Sequence, residues 1–343
     1  MLFDLSSLQN GYYENLKGPV DFTIPIWYAP YFNSIGFISL VLSNTAALLI
    51  IFKSEKLDNF KYFLFSLQVS SLVMDFHLSI LCQPIYFLSA YTVNCIGVAA
   101  PVIWCNSLMA LEQSFNCVQY LCLLFCFMRR HQSVANITSR HVIPARMFQF
   151  LMFLAFSFPP FAAFFWYHAG ISEDLLPGFI DRVFPEYKSK FSSLHNFTIY
   201  QLNFSLGVVG VMGFTGIFVV FQAIAMTTMD TMKMLKGARK TISAQSYDRQ
   251  RSAMKSLIAQ FLASCLLVLP AASFYVISVY PINYGQEIVN ISMAIFATRS
   301  SVNAVILVAT TPPYRAFLFG RIASSRQKAA STVVVSMNTA IGS

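Results

Sequence analysis

Four ionisable residues stand inside otherwise apolar stretches of this chain: Asp75, His77, Glu112 and Arg299. A charge in hydrocarbon is costly, so each must face a protein interior or a wet cavity and find a partner there. The chemistry on offer is charge pairing and proton sharing. Bond cleavage is not expected, because Asp75 and Glu112 fall in separate segments and do not form the carboxylate pair of a hydrolase. Histidines 77, 131, 141, 168 and 195 show no His-x-x-x-His pair, and no glycine-rich loop adjoins a basic residue. The seven cysteines have no metal or redox spacing. The expectation is a non-enzyme without cofactor or metal.

The elements that hold these four residues are apolar helices. Of 343 residues, 56% are hydrophobic and 11% charged, less than half the charged share of ordinary soluble domains. Such a chain cannot make a soluble surface, and its excess of nine positive charges is read as a topology signal, with no nucleic-acid partner. Seven stretches reach the length that crosses ~30 Å of hydrocarbon. They are Tyr31–Phe52, Tyr62–Leu88, Ile96–Met128, Phe148–Ala169, Leu202–Met229, Ser256–Tyr280 and Ile288–Ala309. The predicted architecture is an all-α membrane protein, a seven-transmembrane helix bundle in the lipid bilayer. An outer N-terminal segment (1–28) precedes the bundle (29–311), and a tail (312–343) follows it. The first span is expected to act as an uncleaved signal-anchor.

Orientation follows from charge. The links 53–61, 129–146 and 230–255 and the tail hold 18 of the 23 Lys and Arg; the alternate set holds four, and Arg299 is the last. Basic loops stay cytoplasmic, so the N-terminus is expected outside and the protein at the plasma membrane. Rings such as Trp27, Trp166, Tyr167 and Tyr280 near the predicted outer boundaries agree.

At 1.5 Å per residue, Arg299 lies roughly 18 Å below the outer start of its helix, in depth between Asp75 and Glu112. The expectation is a charge pair from span seven to span two or three, either a permanent staple or a contact that changes with ligand. An outward-opening cavity among the spans would be aromatic and apolar, with Gln83, Trp104, Asn106, Phe274 and Tyr275 as candidate ligand-binding residues. Of four glycosylation sequons, only Asn196, in the outer loop and close to span five, is expected to be usable. Cys82 and Cys95 flank an outer turn and admit a disulfide, whereas Cys105, Cys117, Cys122, Cys126 and Cys265 read as small buried hydrophobes. On the inner side, Arg129, Arg130, Lys233, Lys236, Arg239 and Lys240, with Tyr314 and Arg315 after the last span, make a basic surface for lipid or a cytoplasmic transducer.

Local motifs point to a family. Lys56-Leu57-Asp58-Asn59-Phe60-Lys61-Tyr62-Phe63-Leu64 enters span two and Asp75-Phe76-His77-Leu78 lies within it. Arg129-Arg130-His131-Gln132 closes span three, and Thr311-Pro312-Pro313-Tyr314-Arg315 closes span seven. In this order, on these helix ends, they resemble the nematode serpentine chemoreceptors, class i in particular and the related class h. The resemblance covers nearly the whole chain. It implies a GPCR-like bundle in sensory cilia that binds a small-molecule odorant or soluble chemical and signals to a heterotrimeric G protein. Met128-Arg129-Arg130 replaces the acid-arginine pair of rhodopsin-like receptors, and the long outer loop has no cysteine to bridge to span three. The rival reading is a transporter or a ligand-gated channel subunit; a transporter would favour an inverted repeat, and none is visible.

Overall fold

The computed structural model describes residues 21–53, 59–239, 242–279, 284–311, 314–317 and 320, except the side chains at 89, 249, 267, 271, 275, 278 and 279. Among these residues seven long helices form a bundle: α1 (Tyr28–Lys53), α2 (Phe60–Cys82), α3 (Cys105–Thr138), α4 (Ala145–Ala169), α5 (Phe204–Ala238), α6 (Ala244–Ser264, continued to Val279) and α7 (Gly285–Thr310). All but α3 are long and apolar enough to cross a membrane. The position of α3 explains its composition. It packs against α2, α4 and α5 and buries residues along its length, from Cys105 to Ala135. A helix screened by its neighbours needs no lipid-facing apolar girdle.

Prolines set two of the breaks. The halves of α4 meet at Ser157, where Pro159 and Pro160 leave the carbonyls of the preceding turn without donors. Pro270 likewise deprives Leu266, and one turn before it the chain tightens into a 3-10 turn at Cys265–Leu267. A third break, in α7, has no proline. There the Thr298 N–H donates to Ile295 O at 3.0 Å, and Arg299 starts the second half.

One end of the bundle is closed by a three-stranded antiparallel sheet, β1 (Pro84–Phe87), β2 (Thr92–Cys95) and β3 (Phe197–Ile199), in that order. Pro84 pairs with Cys95, and Thr92 with Ile199. The sheet corrects two predicted boundaries. Span two stops at Cys82 and not at Leu88, because a final π turn runs into Gln83, whose φ of 45° ends the helix. Span three starts at Cys105 and not at Ile96. Residues 96–104 are apolar, yet their backbone caps α2: Gly97, Val98 and Ala99 donate to Cys82, Ile80 and Leu81 carbonyls at 3.0, 2.9 and 3.1 Å. Position 97 must be glycine for this, since a Cβ there would lie 2.3 Å from Leu81 O.

A disulfide joins Cys95 to Cys105. The pairing considered from sequence, Cys82 with Cys95, is therefore corrected, and Cys105 is not the buried free thiol expected. Cys82 stays reduced with its sulfur 3.6 Å from that of Cys95. At the opposite end, most of the predicted loop 230–254 is helix, so Lys233 and Lys236 ride on α5.

Among the described residues, the two largest of four apolar clusters fill the bundle. Tyr28, Phe32, Phe87, Phe191 and Phe296 belong to the one beneath the sheet. Leu64, Phe127, Leu257, Leu307 and Tyr314 belong to the other. On α2 and α7 the clusters meet around Ser71, Asp75, Arg299 and Ser300, the polar layer that separates them.

Candidate functional site

The four intramembrane ionisable groups form two pairs, both built from α2. Asp75 and His77 are two residues apart, about 200° around a helix, so they point to different neighbours. Asp75 faces α7, where its Oδ1 lies 3.5 Å from Arg299 Nη2. Its Oδ2 accepts from the Ser39 hydroxyl of α1. His77 faces α3, where its Nδ1 is 2.9 Å from Glu112 Oε2 and Phe115 meets the ring edge-on. The arginine partner is thus Asp75, and Glu112 is engaged elsewhere.

Arg299 has no solvent exposure. Besides Asp75, it contacts Met74 Sδ at 3.1 Å, and its guanidinium lies 4.9 Å from the Phe296 ring centre. Its Nε and Nη1 have no protein partner among the described residues, nor do Glu112 Oε1 and His77 Nε2. A buried polar atom left unpaired costs roughly 1–3 kcal/mol, so this layer holds its charges with little margin.

From the pair, a polar track follows α7 toward the sheet-distal end. Ser300 Oγ donates to Ser71 O, and Gln119 Nε2 donates to Ser71 Oγ at 2.7 Å. Asn303 reaches Ser264 of α6, Gln260 Nε2 reaches Ser256 Oγ, and Ser256 meets Thr310 at 2.7 Å. These small polar side chains tie α6 and α7 together without a charge.

The predicted ligand-binding residues have different surroundings among the described residues. Gln83 is buried, with Nε2 donating to Asn33 Oδ1 at 2.7 Å and Ser79 O at 2.6 Å. Asn106 is buried and donates to Tyr167 O at 2.7 Å; a Cβ on Gly170 would strike it at 2.6 Å. Both amides hold the fold together. Phe274 packs edge-on to Tyr91, and the side chain of Tyr275 lies outside the described residues. Trp104 lines a cup of about 320 Å³ beneath the loop 170–200, with Glu173, Ile180, Phe191, His195 and Phe197. A second hollow of about 440 Å³ opens on the flank of the bundle and is apolar, lined by Phe65, Val69, Val73, Phe115 and Phe156.

Asn196, the expected glycan acceptor, is tied into the fold. It is 8% exposed, its Nδ2 donates to both Ala100 O (2.6 Å) and Ile103 O (2.7 Å), and its Oδ1 accepts from Cys105 N at 2.8 Å. Both amide protons serve the fold.

The predicted basic surface is partly dismantled. Lys233, Lys236, Arg239 and Arg315 are exposed and Arg129 is half-buried; Lys240 lies outside the described residues. Arg130 is corrected: it is 3% exposed, with its guanidinium 4.4 Å from the Phe60 ring centre. Tyr314 is corrected too, being fully buried in the lower cluster. One grouping at this end had no local signal in the sequence. His131, His141 and Asp230 meet across 89 to 99 residues of chain.

The family model for the serpentine type 7TM GPCR chemoreceptor Sri matches residues 18–318. The chain belongs to the Sri chemoreceptor family. Its fold agrees: squid rhodopsin superposes with a TM-score of 0.56 at 13% identity, over 89% of this chain and 91% of that one. At that identity the likeness speaks for the fold alone. No curated protein matches the chain. This Sri chain is a GPCR-type receptor and a multi-pass membrane protein.

Proposed function

We propose that this Sri receptor binds a small environmental chemical at its sheet end and signals to a heterotrimeric G protein at its basic end. The sheet end is extracellular and the basic end cytoplasmic, by the Lys and Arg bias of the links. Residence in the plasma membrane of sensory cilia is part of the same proposal, on the resemblance to the nematode serpentine chemoreceptors. The observation that carries this reading is the under-satisfied Asp75–Arg299 pair. It lies between the cup and the exposed Lys233, Lys236, Arg239 and Arg315, and a polar track leads from it along α6 and α7.

Ligand acts by favouring one bundle state over another. A molecule in the cup presses on Trp104 at the head of α3 and on Phe191, a member of the cluster that also holds Phe296 and Ala297 of α7. Arg299 follows Ala297 by two residues. A small shift of α7 changes how its unpaired nitrogens are met, and repacking of α6 against α7 then alters the basic end. The Asp75–Arg299 contact thus serves as the element that ligand biases.

The test is a chemical screen on cells expressing the receptor, recording G-protein activation and membrane current together. Responders should lose potency at least tenfold in Trp104→Ala and His195→Ala while surface expression holds. Current that persists with G proteins blocked would instead favour a channel.

A further inference from the structure

At the basic end three segments meet on one carboxylate oxygen. His131 sits in the last turns of α3, His141 in the link to α4, and Asp230 on α5. His131 Nε2 and His141 Nδ1 stand 2.7 and 2.8 Å from the same Asp230 Oδ2, and the three donor atoms lie within 4.8 Å of one another. The arrangement is braced. His141 reaches it with φ of 56°, a conformation that few non-glycine residues adopt. Gln132, 4% exposed, holds the link through Ile143 N to Oε1 (2.7 Å) and Nε2 to His141 O (3.3 Å).

We propose that His131, His141 and Asp230 form a zinc site. Two imidazoles and a carboxylate are the donor set that suits Zn²⁺, with water completing a tetrahedron. Zinc bonds of about 2.0–2.1 Å would set the donor atoms about 3.3 Å apart. Each nitrogen then withdraws from the oxygen by about 0.6 Å, a small adjustment for a link whose His141 side chain is 65% exposed. The same exposure gives the ion its route in and the water its place.

Proton positions make the site specific. Gln132 Nε2 lies 3.1 Å from His131 Nδ1 and donates to it, so the His131 proton is on Nε2, directed at Asp230. Zinc at Nε2 moves that proton to Nδ1, and Gln132 must turn its amide oxygen to accept it, giving up its bonds to Ile143 N and His141 O. Position 132 therefore tunes the site from behind the ligand, as outer partners of metal-bound histidines do. Bound zinc would fasten the ends of α3 and α5 to each other. If the basic end docks a G protein, as proposed above, zinc holds the receptor silent; the site itself does not depend on that reading.

The experiment uses the full chain in lipid nanodiscs after chelator treatment, titrated with Co²⁺ and then Zn²⁺. One ion per chain is expected, with the visible bands of tetrahedral Co²⁺, displaced by Zn²⁺, and a raised melting temperature. His141→Ala and Asp230→Asn should each weaken binding at least tenfold, each measured against the melting temperature of the same variant without metal. Gln132→Glu should tighten binding several-fold. Binding that is indifferent to His141→Ala or Asp230→Asn, or the absence of tetrahedral bands, means a hydrogen-bonded latch only and overturns the proposal. A signalling assay under chelator is read separately, so failure of G-protein coupling leaves the metal result standing.

Discussion

Removing Arg299 and removing Asp75 should not cost the same. Both side chains are buried, at 0% and 3% exposure, and they stand 3.5 Å apart. Breaking a buried pair by deleting one member typically costs about 3–5 kcal/mol, because the other charge is left uncompensated. A carboxyl can escape by taking up a proton; a guanidinium cannot. Asp75→Asn therefore leaves a fixed positive charge beside Met74 sulfur and the Phe296 ring with no carboxylate in direct contact, and should sit at the upper end of that range. Arg299→Met leaves an acid that can neutralise itself with the Ser39 hydroxyl still bonded, and should sit at the lower end. In the double variant Asp75→Asn/Arg299→Met neither charge remains, and such replacements are often neutral. The coupling energy should then be at least about 2 kcal/mol. For a chain of this size, about 2 °C of melting temperature corresponds to each kcal/mol, so the singles should lose roughly 6–10 °C and the double should recover most of it. The assay is a thermal melt of detergent-solubilised receptor, with surface expression in parallel. Additive losses in the double variant would refute the pair. Arg299→Met combined with Glu112→Gln should show a clearly smaller coupling, since Glu112 is bonded to His77 and feels Arg299 only through its charge.

Other outcomes follow from the same geometry. Cys95→Ser and Cys105→Ser should each lower stability by about 3 kcal/mol, the worth of closing a short loop, while mass-spectrometric mapping should find Cys82 free until the chain unfolds. Gly97→Ala should sharply reduce folded receptor on size-exclusion traces, because its Cβ would meet the Leu81 carbonyl at 2.3 Å. Asn196→Gln should leave electrophoretic mobility unchanged before and after glycosidase treatment. It should nonetheless lower the melting temperature, since the longer side chain misplaces three hydrogen bonds.

How far these features could be read from the chain depends on how local their cause is. The depth of Arg299 needed only the helical rise, and the seven-helix bundle only length and hydropathy. Choosing Asp75 over Glu112 as its partner needed the rotation of α2, which no single-helix pattern reports. Residues 96–104 looked like the start of a span because a buried apolar loop and a helix turn have the same hydropathy. Their role became visible only when Gly97, Val98 and Ala99 were found capping the end of α2. Asn196 carried a sequon, a three-residue signal, whereas its function is to stitch the 170–200 loop to the turn before α3. Tyr314 followed two prolines at a helix end and looked surface-bound, yet its ring completes an apolar cluster drawn from α1, α2, α3, α5, α6 and α7. The grouping of His131, His141 and Asp230 spans three segments and has no periodicity to betray it.

The most direct measurement is nucleotide exchange on a purified heterotrimeric G protein by the receptor in nanodiscs, with a chemical that activates it in cells. Exchange should rise with ligand, fall at least tenfold when Lys233, Lys236 and Arg239 are together changed to Glu, and lose its ligand dependence in Asp75→Asn/Arg299→Met while folding is retained. Ligand-independent exchange, or exchange unchanged by either set of substitutions, would contradict it.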